Sequence, residues 1–322
     1  MKDLLLTMLF VPAALAVDIN QYSVVWDSQS DNSSNSMPLA GGNLGLNVWV
    51  ENNDLLFLIG SPNCMDEKGM QVKLGLVRLR FDKPVFARDF RQELRLQESE
   101  IIVSGCSSSG GKVEVKMWCE VNRPVIHVGV ESREPRTLTA SYETWSGYEA
   151  VHHEGGFQWV KRLPEENPRR LQDMQAQGMA DYTKSIPDPL SRLTLGGRLD
   201  APGLIPLPDS KGKFNNLDTQ VTSAATATAV SGINLTFTLR MEQDESLAAW
   251  QAALAASAAE ATAATRENRA AALDWWNQFW GRSHISIAAD PAQDRGQDLP
   301  WLRAGTISSS AIPWPPIHRA AP

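Results

Sequence analysis

From Val17 to about Gln243, apolar and polar residues alternate in short runs, as in strands whose successive side chains point to opposite faces. Leu44, Leu46, Val48 and Val50 alternate with Gly45, Asn47 and Trp49, and the polar Glu51-Asn52-Asn53-Asp54 then turns the chain back into Leu55 to Ile59, a hairpin signature. Val113, Val115, Met117 and Cys119 form a dry face against Glu114, Lys116, Trp118 and Glu120. Val77 to Phe81, Ile126 to Val130 and Leu235 to Met241 repeat the pattern. At about 5 to 6 residues per strand, roughly a dozen strands fit. That is more than a small immunoglobulin-type sandwich holds, and two large antiparallel sheets packed face to face would cover all the apolar faces. The expected fold is therefore mainly β, a large two-sheet β-supersandwich over residues 17–243. Between Lys161 and Pro189 the alternation fails amid prolines, Glu165-Glu166 and Arg169-Arg170, which predicts a long surface excursion with one helical turn.

At Asp244 the regime changes. Ala, Leu, Glu, Gln and Arg dominate up to about Ala272 with neither proline nor glycine, predicting a long Ala-rich linker helix within residues 244–287. Leu247, Trp250 and Leu254 supply an apolar stripe, and the alanines allow close approach to a neighbour. A helix continuing to Trp280 would be about 55 Å long at 1.5 Å per residue, too long for one compact sandwich to cover unless it kinks or docks elsewhere. Such a helix usually connects two domains. Its end concentrates Trp275, Trp276, Phe279 and Trp280, with Trp276 and Trp280 one turn apart on the same side. These four rings read as interdomain packing rather than as a platform for sugar rings. Residues 288–322 hold six prolines and no sustained periodicity, so a disordered, irregular tail is expected.

Composition adds the compartment and removes some functions. Lys2, the apolar run from Leu4 to Leu15 and the small residues of Ala14-Leu15-Ala16 predict a secretory signal peptide over residues 1–16, too short for a bilayer core that needs about 20 apolar residues. A secreted, extracellular protein without a membrane anchor follows. With 30 basic against 37 acidic side chains, the net charge of −7 offers no footprint for a polyanion, so nucleic acid is not an expected partner. Three cysteines, Cys64, Cys106 and Cys119, allow at most one internal bridge, and the hairpin around Gly105 to Gly111 places Cys119 beyond reach of Cys106. Buried, unpaired thiols are expected. Asn32-Ser33-Ser34 and Asn234-Leu235-Thr236 fit the N-glycosylation pattern.

Met37-Pro38-Leu39-Ala40-Gly41-Gly42-Asn43-Leu44-Gly45-Leu46-Asn47-Val48-Trp49-Val50 resembles the opening of a glycosidase-associated β domain. Further segments agree in order: Trp26, Asp66 to Gly69, Lys73 to Leu79, Phe90 to Leu94, Asn122-Arg123-Pro124-Val125, and Trp275-Trp276 through Ser283. Together they resemble domain-of-unknown-function family 5703. That family is similar to the N-terminal β-supersandwich of family 95 glycoside hydrolases, the α-L-fucosidase group. The resemblance implies an accessory domain whose Trp-rich linker leads into an (α/α)6 toroid carrying the catalytic groups, with carbohydrate as ligand and no cofactor. On this reading the chain stops where the toroid would begin, which predicts a truncated product with little or no catalytic power by itself. Ala40-Gly41 departs from the usual Gly-Asn-Gly, and His284 stands where an aromatic residue is commoner.

Candidate chemistry within the chain is sparse. Glycoside hydrolysis generally needs two carboxyl groups at a set separation. Asp66-Glu67 reads as a turn, and Glu143, near Tyr142 and Trp145, as a solvated strand residue. His152-His153 would point apart on a strand, so no metal site is expected. Gly41, Gly42 and Gly45 precede a strand, which excludes a phosphate cradle at a helix start; they suit close backbone approach where two sheets meet, with Asn43 tolerating a turn conformation. If the β domain instead acts as a free-standing carbohydrate-binding module, Asn43, Trp49 and Trp159 are the expected sugar contacts.

Overall fold

The computed structural model describes residues 19–283 other than 67, 146 and 184. The expected leader, His284 and the Pro-rich stretch lie outside them. Seventeen strands are described: β1 Val24–Trp26, β2 Met37–Gly41, β3 Leu44–Glu51, β4 Asp54–Met65, β5 Gln71–Phe81, β6 Arg88–Arg95, β7 Glu100–Cys106, β8 Lys112–Cys119, β9 Val125–Arg136, β10 Leu138–Thr144, β11 Glu149–His153, β12 Gly156–Arg162, β13 Thr194–Asp200, β14 Leu204–Pro206, β15 Ser210–Phe214, β16 Leu217–Thr226 and β17 Val230–Glu242. Three helices accompany them, α1 Pro168–Ala176, α2 Leu247–Ala263 and α3 Thr265–Trp280. The strands form two antiparallel sheets, one of nine in the order β1-β6-β7-β8-β9-β17-β13-β12-β11 and one of eight in the order β14-β16-β10-β5-β4-β3-β2, with β15 added beside β16. The short β1, β11, β14 and β15 account for the excess over a dozen, because runs of 3 to 5 residues carry too little alternation to be read.

The alternation sets what fills the space between the sheets. Leu46, Val48, Val50, Leu55, Phe57, Ile59, Val77 and Leu79 of the smaller sheet meet Val103, Val115, Met117, Val128, Leu235, Phe237 and Leu239 of the larger one in a single buried cluster. Phe57 and Phe237 touch edge-to-face across it, with ring centroids 5.4 Å apart. β4 is apolar on both faces because Leu56 and Leu58 join Trp49 and Leu76 in a second, outer cluster, covered by Trp145 and Phe214. The Lys161–Pro189 excursion contains α1, capped by the Asn167 side chain, which accepts from the amides of Arg169 and Arg170.

The Ala-rich helical segment begins later than its composition suggests. Ser246 caps α2 by accepting from the Ala249 amide at 3.1 Å, so the helix starts at Leu247. It is also two helices, not one. At Ala264 (φ −115°, ψ 27°) the chain leaves helical geometry, and the hydroxyls of Thr262 and Thr265 donate to the carbonyls of Ala258 and Ala261. Threonine back-bonding of this kind competes with the backbone ladder and bends helices. The break lets both halves stay on the outer face of the larger sheet. Trp250, Leu254, Ala258 and Ala261 bury the inner side of α2, which lies on β17 and β13. Gly196 on β13 permits this, since a Cβ there would lie 2.9 Å from Trp250 Cη2 and 2.2 Å from the Trp159 carbonyl oxygen.

Candidate functional site

The outer face of the nine-stranded sheet carries a dense polar arrangement. On β8 and β9 the residues opposite the core are Glu114, Lys116 and Trp118, and His127, Gly129 and Glu131. Trp118 and His127 are cross-strand partners and stack at 4.1 Å. Next to them Glu120, at the end of β8, is almost wholly buried. Its Oε2 accepts from Arg123 Nε at 2.8 Å, while its Oε1 lies 2.9 Å from His127 Nε2 and accepts from Asn268 Nδ2 of α3 at 3.0 Å. One residue on, Arg269 donates to Glu100 Oε2 at 2.6 Å and to the Glu98 carbonyl at 3.0 Å, and its guanidinium carbon sits 5.2 Å from the Trp118 ring centroid. Burial lowers the Arg269 pKa, opposed by the charges of Glu100 and Glu98. Arg123 also reaches Glu260 of α2 at 3.3 Å. Beside this cluster, a cleft of about 1640 Å³ runs between the sheet and the helices, with Glu114, Lys116, Arg198, Asp200 and Asn234 on the sheet side and Ala258 and Ala259 opposite.

The Gly-rich opening motif buttresses this cluster from the other sheet. Gly42 and Asn43 (φ 54° and 63°) make the two-residue turn between β2 and β3, the left-handed conformation a tight hairpin requires. A Cβ on Gly42 would lie 1.8 Å from the Arg123 carbonyl oxygen and 2.9 Å from that of Glu120. The close approach expected of these glycines is thus between the β2–β3 turn and the loop carrying Glu120 and Arg123. Asn43 is exposed at the tip of that turn.

The other expected site residues are scattered. A sugar-stacking role needs Trp49 and Trp159 exposed; both are fully buried, which corrects that expectation. Trp49 does stand on the outer side of β3, but β15 brings Phe214 to 6.2 Å from it and its Nε1 donates to Glu51. Trp159 points inward from β12 and stacks on Tyr142 at 4.4 Å. Glu143 also departs from expectation. Rather than being solvated, it is buried and accepts from Arg78 Nε at 2.5 Å, while Asp54 takes Arg78 and Arg80 at 3.1 and 2.6 Å. Burial opposes the charge on Arg78, and the bonds to Glu143 and Asp54 outweigh it, raising its pKa. Asp66 makes the expected turn, accepting from the amides of Lys68 and Met70. His152 and His153 go to separate backbone carbonyls, those of Ser223 and Glu154. Asn32 is exposed and accepts from the Ser34 amide, and Asn234 is exposed beside the cleft.

At the end of α3, Trp275 stacks on Phe279 at 5.4 Å and Trp276 on Trp280 at 6.1 Å. Phe279 is buried and the three indoles are half-buried; Trp280 Nε1 donates to the Leu96 carbonyl at 2.7 Å. The rings therefore lean on the β6–β7 turn without being enclosed by strands.

All three cysteines are free, with Cys64 and Cys119 buried and Cys106 half-buried. Burial pushes the Cys64 thiol from 9.0 up to about 11 and that of Cys119 up to about 12. The unfolded chain therefore sheds these protons while the folded protein retains them. This stability is fully present below pH 9 and is lost as pH rises through the folded values. The urea midpoint is expected to fall between pH 8 and pH ~10.5, and less so in the Cys64→Ala/Cys119→Ala double variant. Equal falls in both proteins would refute the assignment.

The glutamate–histidine–asparagine cluster was missed from sequence. Its signal was a tryptophan and a glutamate on the otherwise wet face of β8, followed by the Asn122-Arg123-Pro124 segment. A family model described as a domain of unknown function (DUF5703) matches residues 25–159 and 165–285. The chain belongs to this family. No curated protein matches it. Among solved structures, one described as a kojibiose phosphorylase from human microbiome is similar at 11% identity and a TM-score of 0.49, covering 84% of this chain and 40% of that one. A bacterial glucoamylase complexed with acarbose is similar at 8% identity and a TM-score of 0.33, covering 80% and 40%. This chain thus spans about two fifths of the length of each.

Proposed function

We propose that the chain is the accessory β domain of an exported, glycoside hydrolase-like protein, and that it has no catalytic power by itself. Its role would be to hold a neighbouring helical catalytic body in a set orientation, with carbohydrate as the ligand of the whole. The observation that carries this reading is the seating of the linker on the outer face of the nine-stranded sheet, with Asn268 and Arg269 bound to Glu120 and Glu100 and the indoles of α3 left half-open. Half-open aromatic clusters beyond a docked helix suit a second packing partner. Two further features support it. The resemblance of the opening motif and of the Trp-rich linker is to the accessory part of such enzymes, and Glu120, Glu143 and Asp54 are each engaged by cationic or amide partners, Glu143 and Asp54 by the same Arg78. The burial of Trp49 and Trp159 weighs against a free-standing sugar-binding module.

The purified chain is expected to leave aryl α-L-fucosides, aryl glucosides and oligosaccharides uncleaved. Turnover that disappears in Glu120→Gln or Asp54→Asn would overturn the reading. In light scattering the same chain is expected to self-associate through its indoles, and Trp275→Ser combined with Trp276→Ser to return it toward a monomer. A wild-type chain that stays monomeric at all concentrations counts against an unfilled packing surface. Export rests on Lys2 and the apolar run after it; amino-terminal sequencing of the product outside the cell is expected to begin at Val17.

A further inference from the structure

We propose that α3 is a releasable arm, able to leave the nine-stranded sheet by pivoting at Ala264 while α2 and the sandwich stay folded. The proposal does not depend on the function above. It rests on how differently the two halves of the linker are held. α2 is anchored by apolar burial: Trp250 and Leu254 are fully enclosed and Ala258 and Ala261 nearly so, against β17 and β13. α3 buries only Ala272 and Phe279, and Phe279 is in ring contact with the three indoles of its own helix. Its hydrogen bonds to the sheet side run from Asn268 to Glu120, Arg269 to Glu100 and to the Glu98 carbonyl, Asn277 to Gln97, and Trp280 to the Leu96 carbonyl, with Arg269 also over the Trp118 ring. Water can take over such bonds once the helix lifts, whereas lifting Trp250 and Leu254 would expose apolar area that water cannot satisfy. The pivot is already made. Ala264 sits outside helical geometry, so α3 can rotate without breaking the hydrogen-bond ladder of α2. Release would uncover the Trp118–His127 stack and open one side of the cleft.

Hydrogen–deuterium exchange on the full chain at neutral pH separates the two halves. Residues 266–274, chosen to avoid the end of the helix, are expected to exchange at least about tenfold faster than residues 250–260 of α2. Arg269→Gln is expected to speed the first group by roughly another tenfold, leaving α2 and the sandwich strands unchanged. Protection of the strands in the same run shows whether the variant is folded, and Asn268→Ala supplies an independent cut if Arg269→Gln is not. Equal protection of the two helices in the wild type overturns the proposal, as does acceleration of both together, or of neither, in the folded variants.

Discussion

Gly42→Val is expected to cost at least about 3 kcal/mol of stability and to loosen the attachment of α3. Two effects combine. A β-branched residue in the left-handed region carries strain of order 1–3 kcal/mol. In addition, the new Cβ would stand 1.8 Å from the Arg123 carbonyl oxygen, so one of two backbones must move. The backbone that can yield is the loop between β8 and β9, which holds Glu120 and Arg123, the partners of Asn268 and Glu260 on the helices. Urea unfolding reads the first effect and amide exchange of α3 the second. Asn43→Gly is the control: it keeps the turn conformation (φ 63°) and is expected to change stability by no more than about 0.5 kcal/mol. If Gly42→Val unfolds at the wild-type midpoint, the contact between the two sheets at this turn is wrong.

Trp159→Ala is expected to destabilise by about 3–5 kcal/mol, the range for removing a large aromatic side chain from a core. The indole is fully buried on β12, stacked on Tyr142 at 4.4 Å and tilted against Phe157 at 6.1 Å. Tyr142 in turn donates to the Leu74 carbonyl at 2.6 Å, so the cavity would open beside a residue that ties β10 to β5. Trp159→Phe should cost appreciably less. It retains a ring for the stack, and the indole nitrogen has no hydrogen-bond partner among the described residues to lose. The same pair of variants separates a core role from a sugar platform. A surface stacking residue replaced by alanine would leave stability within about 0.5 kcal/mol and abolish saccharide binding instead.

Much of the architecture was readable residue by residue. Val113, Val115 and Met117 against Glu114 and Lys116 announced a strand with one buried face, and that is how β8 sits. Asn52-Asn53 announced the β3–β4 turn, where both residues have positive φ. The candidate site was much less legible. Glu120 and Asn268 are 148 positions apart, and nothing local to either says that they meet. The clustering of four rings at the end of α3 was legible, because aromatic density at helical spacing is a local property. Which way the helix beneath it would run was not.

Side-chain period and turn chemistry, both local, determined from the sequence alone that this chain builds two antiparallel sheets followed by a helical segment, and they told the faces of the longer alternating strands apart. Only the tertiary structure decided what lies over those faces. Trp49 stands on the outer side of β3 and is nevertheless enclosed, because β15 folds back across it. The helical segment breaks at Ala264, beside the back-bonding hydroxyls of Thr262 and Thr265, and where its two halves then lie on the sheet is set by residues as far off as Glu120 and Glu100. Alternation records the direction in which a side chain points; whether water or another element waits there depends on contacts between residues far apart in the chain, which no local pattern encodes.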